Sequence, residues 1–180
     1  MLDPAFGYLI VTGIALLFAS AAFHKLRARA QFTEVFVAYR VLPSALARRI
    51  AWLIPGVELG LAFGLLWPPT RPAAVMAAVV LLLGYAAGLG ANLLRGRRDL
   101  DCGCGTARER RSIAPWMMWR NLLLAAALSA AVPPWSPRAL SSTDAVTIVA
   151  GLIVAAVLYG AIDRLLGDVA PRTRMLRSSS

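Results

Sequence analysis

Three stretches of this chain carry almost no charge over a length that matters. Phe6 to Phe23 and Ala73 to Leu94 hold no charged side chain, and Thr143 to Ile162 holds only Asp144. Runs of about 18–22 apolar residues are long enough, as helices, to cross a hydrocarbon core roughly 30 Å thick. Two further runs are each broken by polar groups: Ile50 to Trp67 by Glu58, and Ala114 to Val132 by Arg120 and Asn121. With 59% apolar and only 16% charged residues among 180, the chain falls outside the usual composition of soluble domains. The expected fold is all-α, a polytopic transmembrane helical bundle with a four-helix core and a fifth, C-terminal span. Residues 1–167 form the membrane domain in this reading, and 168–180 a disordered basic tail ending in "RSSS". The chain opens Met1-Leu2-Asp3-Pro4, without the basic start of a secretory signal, so the first span is expected to stay.

A formal net charge of +10 would point to nucleic acid in a soluble protein. Here the basic residues lie between apolar runs, so membrane topology and the lipid bilayer account for them, and no nucleic-acid partner is expected. Counted connection by connection, Lys and Arg run six, one, six, one, four. That alternation fits five spans in an inner (cytoplasmic) membrane with the N-terminus outside and the segment 95–115 in the cytoplasm. Within the first connection, Phe32, Val35, Phe36 and Tyr39 recur at helical spacing. They predict a short helix ended by Pro43, lying in the membrane interface or packing as a connector. Gly56, Gly60 and Gly64 form a small-residue stripe expected to let helices approach closely. Trp135, in "VPPWSP", suits the interface.

Both cysteines lie in "DLDCGCGTARERR", residues 99–111. A Cys102–Cys104 disulfide would close a tight ring across Gly103, depart from relaxed geometry and be comparatively easy to reduce. Neighbouring arginines favour thiolates, opposed in part by Asp99, Asp101 and Glu109. A redox pair is one reading. Two thiolates holding copper(I) or mercury(II) are another, since closed zinc sites take four ligands. Two inert cysteines in a non-catalytic scaffold are the third. No metal site is assigned. Glu58, near the middle of a span, must be neutral, paired or facing a polar cavity; an Arg120–Glu58 pair would satisfy both groups if their helices touch. His24, the only histidine, ends the first span, and Asn92 is expected to cap a helix or bond between helices.

The ordered set "AFHKLRARAQFTEVFVAYRVLP", "LIPGVELGLAFGLL", "DCGCG" and "WRNLLLAAAL" resembles the MauE family of methylamine utilisation proteins, within the DoxX-like group of small membrane bundles. The likeness covers roughly residues 6 to 130, with Thr106 standing where a "CGCFG" run would continue. It implies a membrane thiol–disulfide component that matures a disulfide-bonded client, the methylamine dehydrogenase small subunit, with a thioredoxin-like partner of the MauD type. Cys102 and Cys104 would be the redox pair, with Arg120, His24 and Glu58 in support. That role implies a periplasmic pair, whereas the arginine count implies a cytoplasmic one. A quinone is the acceptor to consider, although no quinone or haem site stands out.

Overall fold

The computed structural model describes residues 3–97, 100, 112–132, 135 and 138–177, with side chains given up to Leu165 except that of Asp163. Six helices follow in order: α1 (Pro4–Arg27), α2 (Arg29–Ala38), α3 (Ser44–Leu66), α4 (Arg71–Leu94), α5 (Pro115–Ala130) and α6 (Ser142–Arg177). Among the described residues there is no β-strand. Prolines at the first turns of α1, α4 and α5 start these helices where a missing N–H costs nothing. The Asp3 carboxylate also caps α1, accepting the Ala5 N–H at 2.9 Å. Among the described residues, four segments are long and apolar enough to cross a membrane: α1, α3, α4 and Ser142–Ile162 of α6. The chain is a multi-pass membrane protein. The fourth expected span appears as α5, whose sixteen residues reach only about 24 Å. Helix α6 runs on to Arg177, through most of the segment expected as a tail.

Helices α1, α3, α4 and α5 form a ring in that order, so α3 and α5 stand diagonally; α6 packs outside, on α1. The seam explains the packing. On α3 the buried positions Ala47, Ala51, Ile54, Glu58, Leu61 and Leu65 follow the alternating three–four spacing of a bundle face, with Pro55 and Ala62 buried beside them. Many core residues are small, among them Ala15, Ala62, Ala74, Ala78 and Ala125, as expected where lipid removes the hydrophobic drive and close backbone approach replaces it. Large apolar side chains such as Leu53, Phe63, Met76, Val80 and Leu123 face outward, toward the lipid.

The expected glycine stripe divides. Only Gly64 packs closely, a Cβ there falling 3.0 Å from the Ala74 side chain of α4; Gly56 and Gly60 have nothing within 4 Å. They lie on the outer face of α3, so among the described residues they pack against nothing. Further close approaches occur at glycines outside the stripe: Gly7 lies under Trp135, Gly90 under Met118 and Gly151 under Leu9. Trp135, half-buried at this end of the bundle, is therefore a wedge against α1. It stands edge-on to Tyr8 at 4.8 Å, donates its indole N–H to Ala131 O at 3.0 Å, and lies 4.9 Å from the Arg71 guanidinium. Arg71 is itself buried, donating to Leu65 O. At the same end Arg138 joins Asp3 at 2.9 Å to Asp144 at 2.6 Å, tying the start of α1 to that of α6. The Arg138 hydrogen bonds, with the Ala5 N–H, hold the Asp3 carboxyl below its usual range.

Candidate functional site

The opposite end carries the arginines, α2, and both ends of the cysteine segment. Cys102 and Cys104 lie outside the described residues, but the flanking chain is defined. The Ile113 N–H donates to Leu100 O at 3.0 Å, which joins the two ends. Ile113 and Met117 pack with Leu89 of α4, and Tyr39, Leu93, Leu100 and Trp116 close around them. Arg97 holds the entry: its backbone N–H donates to Asn92 O at 3.0 Å and its guanidinium to Asn92 Oδ1 at 3.1 Å. Asn92 is fully buried and also donates to Gly88 O of its own helix, so it ends α4 rather than bridging helices. Arg95 donates to Arg40 O at 3.2 Å. Arg40 has φ of 48°, a left-handed conformation that breaks the chain between α2 and α3. Helix α2 accordingly stops at Ala38, ahead of the expected end at Pro43.

Glu58 does not pair with Arg120. Its helix and α5 are diagonal in the ring, and its partner comes from adjacent α1. Lys25 Nζ forms an ion pair with Glu58 Oε1; the Tyr85 hydroxyl of α4 donates to the same oxygen at 2.7 Å and accepts from Lys25 at 3.3 Å. The ammonium also lies 5.2 Å from the Phe32 ring and 5.0 Å from that of Tyr85. Glu58 is 0% and Lys25 7% exposed, so one buried ion pair ties α1, α3 and α4. Glu58 Oε2 has no hydrogen bond among the described residues. A crevice of about 10 Å³ lies beside Lys25, between Phe32 and Pro55, close to the size of one water.

Arg120 instead donates to the Tyr159 hydroxyl of α6 at 2.9 Å and lies over the Trp116 ring at 5.3 Å. His24 is exposed, its ring edge-on to Phe23, and does not join the Glu58 cluster. Lys25 and Tyr85 were missed by sequence reasoning, although Lys25 carried a signal. It continues the buried face of α1 through Val11, Ile14, Phe18 and Ala22, whereas a snorkelling lysine would leave that face. A tyrosine within an apolar span similarly needs a partner for its hydroxyl.

A family model described as "Methylamine utilisation protein MauE" matches residues 3–136. The chain is 39% identical over 131 residues to a methylamine utilization protein MauE of Paracoccus denitrificans, covering 71% of this chain and 70% of that one. It is 32% identical over 175 residues to the one of Methylophilus methylotrophus, covering 96% and 92%, and 33% identical over 161 residues to that of Methylorubrum extorquens, covering 88% and 87%. No solved structure matches the chain. The match over most of the ring, with relatives covered along most of their length, means that this chain belongs to the MauE family of methylamine utilisation proteins.

Proposed function

We propose that the chain is a membrane thiol–disulfide component that exchanges electrons between Cys102–Cys104 and a thioredoxin-like partner, in support of maturing a disulfide-bonded client. The observation that carries this is the junction of Leu100 and Ile113, which sets the ends of the Cys-Gly-Cys segment together on the arginine-rich end of a rigid bundle. In the reducing direction, the Cys102 thiolate attacks one sulfur of the partner disulfide and the other sulfur leaves as a thiolate. Cys104, deprotonated, then attacks Cys102 Sγ, forming the intramolecular disulfide and releasing the partner as a dithiol. Two electrons and two protons pass, and the reverse sequence oxidises the partner. Arg120, a turn into the helix after the cysteine segment, adds positive potential that favours thiolates. Glu58 supports the site by holding Lys25.

The charge distribution favours a cytoplasmic face for the pair. At the far end the two connections carry one arginine each, Arg71 and Arg138, against six Lys or Arg in each of the two connections at the arginine-rich end. The test is alkylation of intact cells with a membrane-impermeant maleimide, with and without an impermeant phosphine. Labelling that requires permeabilisation but not prior reduction is the expected result, because cytoplasmic thiols are kept reduced and the pair there supplies electrons toward client maturation rather than oxidising the client. Labelling of intact cells after reduction would move the pair to the periplasm. Failure of Cys102 to form a mixed disulfide with any partner would remove the exchange reading itself.

A further inference from the structure

A groove of about 320 Å³ separates α2 from α3, lined by Arg29, Ala30, Thr33, Glu34, Arg48 and Trp52. The exchange chemistry makes no use of it. Two guanidinium-bearing side chains from different helices line it, and that of Arg29 lies over the Trp52 ring at 5.4 Å. Glu34 is the one carboxylate in the lining, so the groove carries one excess positive charge. Arg48, Trp52, Gly56 and Gly60 fall four residues apart and form a single row along α3. Below the groove this row has no side chains, and Gly56 and Gly60 open onto empty space. Exposed Leu53 and Val57 stand on one side of the resulting furrow and Phe63 on the other. A groove lined by two arginines thus continues into a shallow apolar channel along a membrane-spanning helix.

We infer that this surface is a binding site for an anionic phospholipid, with the phosphodiester between Arg29 and Arg48, the interfacial region against Trp52, and an acyl chain along Gly56 and Gly60. Guanidinium groups bind phosphate oxygens through paired, charge-assisted hydrogen bonds, and tryptophan suits the headgroup level. The single excess positive charge matches a lipid of net charge −1, such as phosphatidylglycerol, better than zwitterionic phosphatidylethanolamine. Glu34 would repel the former and attract the ammonium of the latter.

The full chain, purified in mild detergent with equal amounts of the two lipids, tests this by native mass spectrometry. Wild type should retain phosphatidylglycerol in preference to phosphatidylethanolamine. Replacing both arginines (Arg29→Ala with Arg48→Ala) should lower that retention about tenfold or more, from roughly 1 kcal/mol per basic residue at a charged lipid surface. Glu34→Gln should raise it. Gly56→Leu with Gly60→Leu should lower it with both arginines in place; a Cβ at either position meets nothing within 4 Å in the described chain, and an unchanged unfolding midpoint in SDS checks that the fold is kept. Equal retention of both lipids, or retention indifferent to the arginine pair, would overturn the assignment. So would binding of inorganic phosphate to lipid-free protein at the affinity of the lipid, which would assign the groove to a soluble anion.

Discussion

Replacing Glu58 by glutamine keeps the shape of the side chain and removes its charge. Lys25, 7% exposed, would then retain the Tyr85 hydroxyl and two aromatic rings but no counter-ion. Breaking a buried pair from one side costs about 3–5 kcal/mol, and the position of Lys25 in the last turn of α1 places its cost at the low end of that range, since a lysine near a helix end reaches toward the interface. We therefore expect Glu58→Gln to destabilise the bundle by about 3 kcal/mol, and Lys25→Met by a similar amount. Tyr85→Phe, which deletes the hydrogen bond to Glu58 Oε1 and the longer one from Lys25, should cost about 1–2 kcal/mol. The double variant Lys25→Met with Glu58→Gln removes both charges and leaves an amide oxygen to accept from the Tyr85 hydroxyl. It should lie much closer to wild type than the sum of its parts. The assay is reversible unfolding in mixed micelles with increasing SDS, read as a double-mutant cycle with a coupling of at least about 2 kcal/mol. Single variants that each cost under about 1 kcal/mol, or costs that simply add, would show that the pair does not tie α1 to α3 as described.

The other predictions concern the two ends and the glycines. Gly7→Ala should destabilise by about 1–3 kcal/mol in the same unfolding assay, because its Cβ would fall 2.5 Å from the Trp135 ring. Gly56→Ala, facing open space, should be neutral or stabilising by up to about 1 kcal/mol. The Arg138 clasp should depend on pH in one direction. Since Asp3 titrates below its unfolded value, its contribution is complete above the unfolded carboxylate pKa of about 4 and fades as pH falls through the lowered folded value. Wild type should thus outlast Arg138→Gln in thermal melts at pH 7, and the gap should narrow below about pH 4. Asn92→Leu should loosen the entry to the cysteine segment, speeding amide exchange at Arg97 and Gly96 while the centre of α4 stays protected.

The apolar spans and the all-α bundle were legible because charge-free runs are local properties of the sequence. Tertiary pairing was less so. Glu58 and Arg120 are both polar groups set in apolar runs, which made them natural partners in one dimension; the ring order puts α1 between their helices and gives Glu58 to Lys25. A glycine stripe identifies a smooth face but not its neighbour, so Gly56 and Gly60 proved outward-facing while Gly7, Gly90 and Gly151 made close contacts. Trp135 had the residue type of an interfacial position, but its contacts with Gly7 and Arg71 join segments far apart in the sequence and were not legible there. His24 adjoined Lys25 in sequence, and a shift of one residue, about 100° around α1, separates the exposed imidazole from the buried ammonium.

The central claim, exchange through Cys102 and Cys104, is tested most directly by trapping its intermediate. Cells carrying Cys104→Ser should accumulate a mixed disulfide that runs as a discrete adduct on a non-reducing gel and disappears on reduction. It should be lost in the Cys102→Ser/Cys104→Ser variant, and mass spectrometry should find Cys102 joined to a thioredoxin-fold protein. An absence of any adduct, or an adduct that persists without Cys102, would contradict the exchange mechanism.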